Sequence, residues 1–225
     1  MLCTQTVAAT TFELLKKLQA EPALGMSCLT GTMALSLHLG HLPGRNAELL
    51  LPDVFSWELL EELLRDNYGF QGHREDDGLR GHIGEPEFFL YEQRHTLVSR
   101  PVEEAGLRLC GLGDLAAGIL RDIETDSTRE ASFAELACLS ARLSLNAILS
   151  CYERKYPSSN VVGAVKALLY FNDIERNGGA VADARLRIHV GSSGRTDSGD
   201  GRCAGQGLRG ISVPVAAETE GRVRS

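Results

Sequence analysis

No stretch of about 18 consecutive apolar residues, the length that crosses a bilayer as a helix, occurs in this sequence of 225 residues. The opening residues, MLCTQTVAATTFELLKKLQ, also lack the basic start and unbroken apolar run of a secretory signal. The chain is therefore expected to be soluble and cytoplasmic, with no membrane contact. Its six cysteines never form a C-x-x-C pair, which removes the usual zinc and redox motifs and leaves reduced, mostly buried thiols as the expectation. Basic residues are outnumbered: 23 Lys and Arg face 30 Asp and Glu, a formal charge of −7. A broad basic surface for holding nucleic acid is not available at that balance. No internal repeat is present, so solenoid and propeller architectures drop out.

What remains fits one sizeable domain. A hydrophobic fraction of 43% fills a single core, and the length is too short for two full domains. The composition breaks near residue 176. Beyond it lie 8 arginines, no lysine, 5 acids and 10 of the 24 glycines, a local charge of +3 that leaves −10 for residues 1–175. Runs such as GSSGRTDSGDG cannot bury enough apolar area to offset chain entropy. Residues 176–225 are read as a Gly/Arg-rich disordered tail, with only Leu186 to Val190 and Ile211 to Val215 able to form short strands.

Within residues 1–175 the apolar periodicity predicts alternating elements. Thr11 to Gln19 reads as a helix stopped by Pro22, Met26 to Leu29 as a strand, and Met33 to Leu39 as two helical turns ended by Gly40. Glu48 to Leu51 reads as a strand closed by Pro52. Ser56 is a good N-cap for a helix over Trp57 to Tyr68, with Trp57, Leu60 and Leu64 on its buried face and Glu58, Glu61 and Glu62 exposed near its positive end. The glycine- and charge-rich stretch 69–86 is loop or hairpin, followed by strands at Glu87 to Tyr91 and Leu107 to Cys110. Four helices follow: Asp114 to Ile123, Phe133 to Ala141, Leu145 to Tyr156 and Val161 to Phe171, with Ser144 and Asn160 as caps. The expected class is α+β (mixed α/β), a small sheet with flanking helices and a helical C-terminal half.

Gly31-Thr32-Met33-Ala34-Leu35-Ser36-Leu37-His38-Leu39-Gly40-His41 resembles GGTALALxxGHR, the opening motif of the AbiEii/AbiGii toxin-like nucleotidyltransferases. Trp57 to Phe70, Gly106 to Ile123 and Leu143 to Asp173 are similar to later stretches of that family in the same order, so the resemblance spans about residues 10 to 175. It implies a nucleotidyltransferase fold and a role in toxin–antitoxin systems. It also implies Mg²⁺ and a nucleoside triphosphate as cofactor and substrate, with an antitoxin-like protein or RNA as partner. In such chemistry backbone N–H groups of a glycine turn meet the triphosphate, here Gly31, Thr32 and Gly44, while carboxylates hold Mg²⁺.

The chemical positions depart from the pattern. Where active members carry S-x-D-x-D, this chain has Gly44, Asn46 and Glu48. Asn46 brings no charge, and Glu48, a candidate metal ligand, is a methylene longer than Asp. A third carboxylate falls near Phe89, with Glu87 or Glu92 as offset substitutes; a family lysine falls at Ile119; and of a basic R-G-x-K-K-D stretch only Arg129 is kept. The resemblance therefore implies a catalytically degenerate protein whose altered catalytic positions are Glu48 and Asn46. The alternative is an active Mg²⁺-dependent transferase moving a nucleotidyl group from a triphosphate to an RNA or protein hydroxyl. If only the chemistry has lapsed, restoring Gly44→Ser, Asn46→Asp, Glu48→Asp and Ile119→Lys is expected to recover triphosphate binding.

Other clusters invite metal or RNA readings. His38 and His41 could share a helix face as ligands, although structural or solvated histidines are the stronger reading. His73, Glu75, Asp76, Asp77 and His82 could take a divalent cation, but a solvated charge run in a loop is preferred. Arg142, Arg154 and Lys155 could touch RNA phosphates, against the acidic balance of the body.

Overall fold

The computed structural model describes residues 1–169 except 41, 42, 45, 53 and 55. The tail from 176, its two short-strand candidates, Phe171 and His41 lie outside the described residues. Among those described, the elements run from a 3₁₀ turn (Thr4–Thr6) through α1 (Ala9–Ala20), β1 (Cys28–Thr30), α2 (Gly31–Leu39), β2 (Ala47–Leu51) and α3 (Trp57–Tyr68). Then come β3 (Gln71–Glu75), β4 (Gly78–His82), β5 (Glu87–Glu92), β6 (Val102–Glu104) and β7 (Leu107–Leu109). The helices α4 (Leu112–Thr125), α5 (Glu130–Ser140), α6 (Leu145–Lys155) and α7 (Val161–Leu169) close the described chain. One mixed sheet holds the strands in the order β3-β4-β5-β2-β1-β7-β6, a mixed α/β architecture.

Local signals account for most boundaries. Ser56 accepts from the Leu59 amide and starts α3, whose Leu60 and Leu64 are buried while Trp57 is half-buried under the Arg74 guanidinium, 4.5 Å from the ring centre. Gly40 ends α2 at φ 71°, a left-handed conformation that a side chain resists. The stretch 69–86 resolves into the β3–β4 hairpin. Two expectations need correcting. The first strand starts at Cys28, not Met26, because Met26 sits in a turn with its side chain exposed. β6 went unpredicted, since Val-Glu-Glu carries no alternation and gains strand geometry only by pairing with β7.

Pleating sorts the central strands into two faces. Ala47, Leu49 and Leu51 of β2 and Phe88 and Leu90 of β5 are buried on one face, and the parallel register Ala47↔Phe88 and Leu49↔Leu90 keeps them together. The opposite face carries Glu48, Leu50, Phe89 and Tyr91, which are only partly covered. α2 packs against β1, β2, α4 and α5, so its amino end and the Glu48 face meet the C-terminal helices.

Candidate functional site

The antiparallel pairing of β1 with β2 sets Glu48 beside Thr30, and the next residue, Gly31, opens α2. Gly31 has φ +66°, and a Cβ there would lie 2.5 Å from Glu48 Cδ and 2.8 Å from Oε2, with Oε1 closer still. Only glycine leaves room for the carboxyl to lie against this turn. Among the described residues the Glu48 carboxyl finds no hydrogen-bond or ion-pair partner. Burial, then the charges of Asp122 and Glu135, push its pKa up to about 7, with Arg129 opposing. Glu135 is raised as well, first by burial, while the hydroxyl of Thr32 donates to its Oε1 at 2.5 Å and works the other way.

The remaining sequence candidates divide. Asn46 is exposed just before β2. Gly44 donates its amide to the Thr6 carbonyl, and a Cβ on it would meet Met33 Cγ at 2.8 Å and Met33 Cα at 2.9 Å. Phe89, near which the resemblance places a third carboxylate, pairs directly with Glu48 across the parallel β2–β5 ladder. Neither proposed substitute stands there: Glu87 is held by Arg80 at 2.9 Å, and Glu92 pairs with Leu51 and is exposed. Ile119, where the resemblance places a lysine, is 7% exposed in the core. Arg129 does reach this region, 3.9 Å from Asp122.

Mg²⁺ needs several hard oxygen ligands, usually anionic, converging on one point. Asn46, Glu48 and Phe89 do not supply that set. Among the described residues, no three His, Cys, Asp or Glu side chains are grouped so as to hold a metal ion. The described residues therefore do not fit the metal.

The other clusters have structural occupations. His38 is partly withdrawn from solvent and its Nε2 lies 2.9 Å from the Cys110 carbonyl, joining α2 to the end of β7; burial lowers its pKa. His73 pairs with Glu75 at 3.5 Å on an edge hairpin, where an open polar cleft of about 580 Å³ is lined by His73, Arg74, Glu75, Asp76, Asp77 and Arg94. His82 sits at the far end of that hairpin, opposite Gln71. Of the three cations read as RNA contacts, Lys155 is buried on Asp114 and Arg154 donates to the Val98 carbonyl; Arg142 alone is exposed with no partner among the described residues. That corrects the RNA reading for Lys155. Its burial had a sequence signal, because Ile148, Tyr152 and Lys155 share one helical face. Glu135 had none: its partner Thr32 is 103 residues away.

No protein-family model matches the chain, and no curated protein matches it. Solved structures to which the chain is similar include nucleotidyltransferase-like proteins. An antigenic nucleotidyltransferase-like protein from Paracoccidioides brasiliensis is 15% identical, covering 70% of this chain and 91% of that one, with a TM-score of 0.42. ANT(2'')-Ia in complex with adenylyl-2''-tobramycin is 14% identical over 73% and 98%, with a TM-score of 0.41. A CCA-adding enzyme in complex with CTP is 11% identical over 75% and 52%, with a TM-score of 0.37.

Proposed function

We propose that this chain is a catalytically lapsed nucleotidyltransferase-fold protein, akin to toxins of the AbiEii/AbiGii type, that acts in the cytoplasm by binding a partner. The observation that carries this reading is the pairing of Glu48 with Phe89. Two-carboxylate metal clamps act by neutralising charge on the transferring phosphorus, and an aromatic ring beside the one remaining carboxylate cannot contribute to that. Support for the family comes from the ordered motifs between about residues 10 and 175. The partner is better matched by an antitoxin-like protein than by RNA, because residues 1–175 carry a formal charge of −10. Among the described residues no single helix is long and apolar enough to cross a membrane.

Calorimetry with ATP, GTP, CTP and UTP, with and without Mg²⁺, tests the reading. The expected result is no Mg²⁺-dependent binding by the wild type. Tight Mg²⁺-dependent binding that disappears in Glu48→Ala would overturn it in favour of an active transferase using Glu48 as a metal ligand.

A further inference from the structure

We infer that the amino end of α2 is closed from within, by the carboxyl groups of Glu48 and Glu135, and is thereby shut to phosphate-bearing ligands. This rests on the proposed reading of the chain as a lapsed transferase. A helix amino end attracts anions because its first N–H groups have no intrahelical acceptor and the helix dipole is positive there. In this chain the turn meets carboxyl groups of the protein itself, brought from two separate elements. Glu48, on β2, lies against Gly31 so closely that any side chain at Gly31 would collide with it. Glu135, on α5, is fastened to the next residue by the Thr32 hydroxyl at 2.5 Å. The extra methylene of Glu48 over an aspartate lengthens its reach toward the turn, and Thr32, in place of a glycine, supplies the hydroxyl that ties down Glu135. Both departures from the family pattern thus converge on one small space. Among the described residues, Arg129 is the basic group acting on both carboxyls, and Asp122 already takes part of its charge at 3.9 Å. An incoming phosphate would have to displace one carboxyl and face the other.

The test uses the full chain, inorganic triphosphate without Mg²⁺, and two readouts: calorimetry and the Gly31 amide resonance. The wild type should show neither heat nor a shift at Gly31. The variant combining Glu48→Ala with Glu135→Gln should bind at least about tenfold more tightly, the scale of relieved like-charge repulsion at close range, and should shift Gly31. Thr32→Val keeps both carboxyls but frees Glu135, and should respond weakly in the same direction; it serves if the double variant does not fold. A folded double variant that binds no better than wild type overturns the closure while leaving the catalytic lapse standing. If the double variant is unfolded, a folded Thr32→Val with an unmoved Gly31 overturns it in the same way. Mg²⁺-dependent triphosphate binding by the wild type that is lost in Glu48→Ala overturns both.

Discussion

Lys155 Nζ lies 3.0 Å from Asp114 Oδ1 at a point where the two side chains are only 8% and 1% exposed. Asp114 also accepts from the amides of Val98 and Ser99 and from the Ser99 hydroxyl, so one carboxylate on α4 fixes both the end of α6 and the segment that leads into β6. Removing one partner of a buried pair leaves the other charge uncompensated, at a cost of about 3–5 kcal/mol. Asp114→Ala should therefore destabilise the protein on that scale in urea unfolding, with hydrogen exchange quickening at Val98 and Ser99. A loss below about 0.5 kcal/mol, the range of an exposed pair, would show that the pair is solvated.

Restoring the family's residues is now expected to fail, contrary to the expectation from sequence. Gly44→Ser drives a side chain into Met33, including its backbone Cα. Ile119→Lys places an ammonium in a core position among α4 residues such as Leu115, Ala116 and Ile123, with a cost of several kcal/mol unless the lysine neutralises or reaches water. The four-residue variant should melt well below the wild type and gain no triphosphate binding. A stable four-residue variant that binds triphosphate with Mg²⁺ would mean that the scaffold has not closed over these positions.

The raised pKa of Glu48 has a definite sign. Its value in the fold, about 7, lies above the ordinary 4.5, so the folded state favours the protonated carboxyl. Its contribution to stability is complete below pH 4.5 and is lost as pH rises through about 7. Glu135, raised mainly by burial, acts in the same direction. Glu48→Gln removes the Glu48 part of this dependence, and should be more stable than wild type at pH 8 by on the order of 2 kcal/mol, with the gap shrinking toward pH 5. Matched urea titrations at the two pH values measure it. A gap that grows toward acid pH would mean that Glu48 is held ionised by a partner.

Much of the fold was legible because its causes are local. Ser56 and Gly69 bracket α3 within one hydrogen bond's reach, and the buried Leu60 and Leu64 follow from helical spacing. Gly40 ends α2 by its own backbone freedom. Residue identity needs no coordinates, so the sequence alone also showed Gly44, Asn46, Glu48 and Ile119 at the positions to which the resemblance assigns chemistry. Tertiary structure decided what those residues meet. Strand register is a property of two segments far apart in the chain, so only the assembled sheet could set Phe89 beside Glu48. Packing of α5 against α2 brought Glu135 to Thr32 across 103 residues. The burial of Lys155 depends on Asp114, 41 residues earlier and on another helix, because a charge can leave water only where the fold supplies its counter-charge.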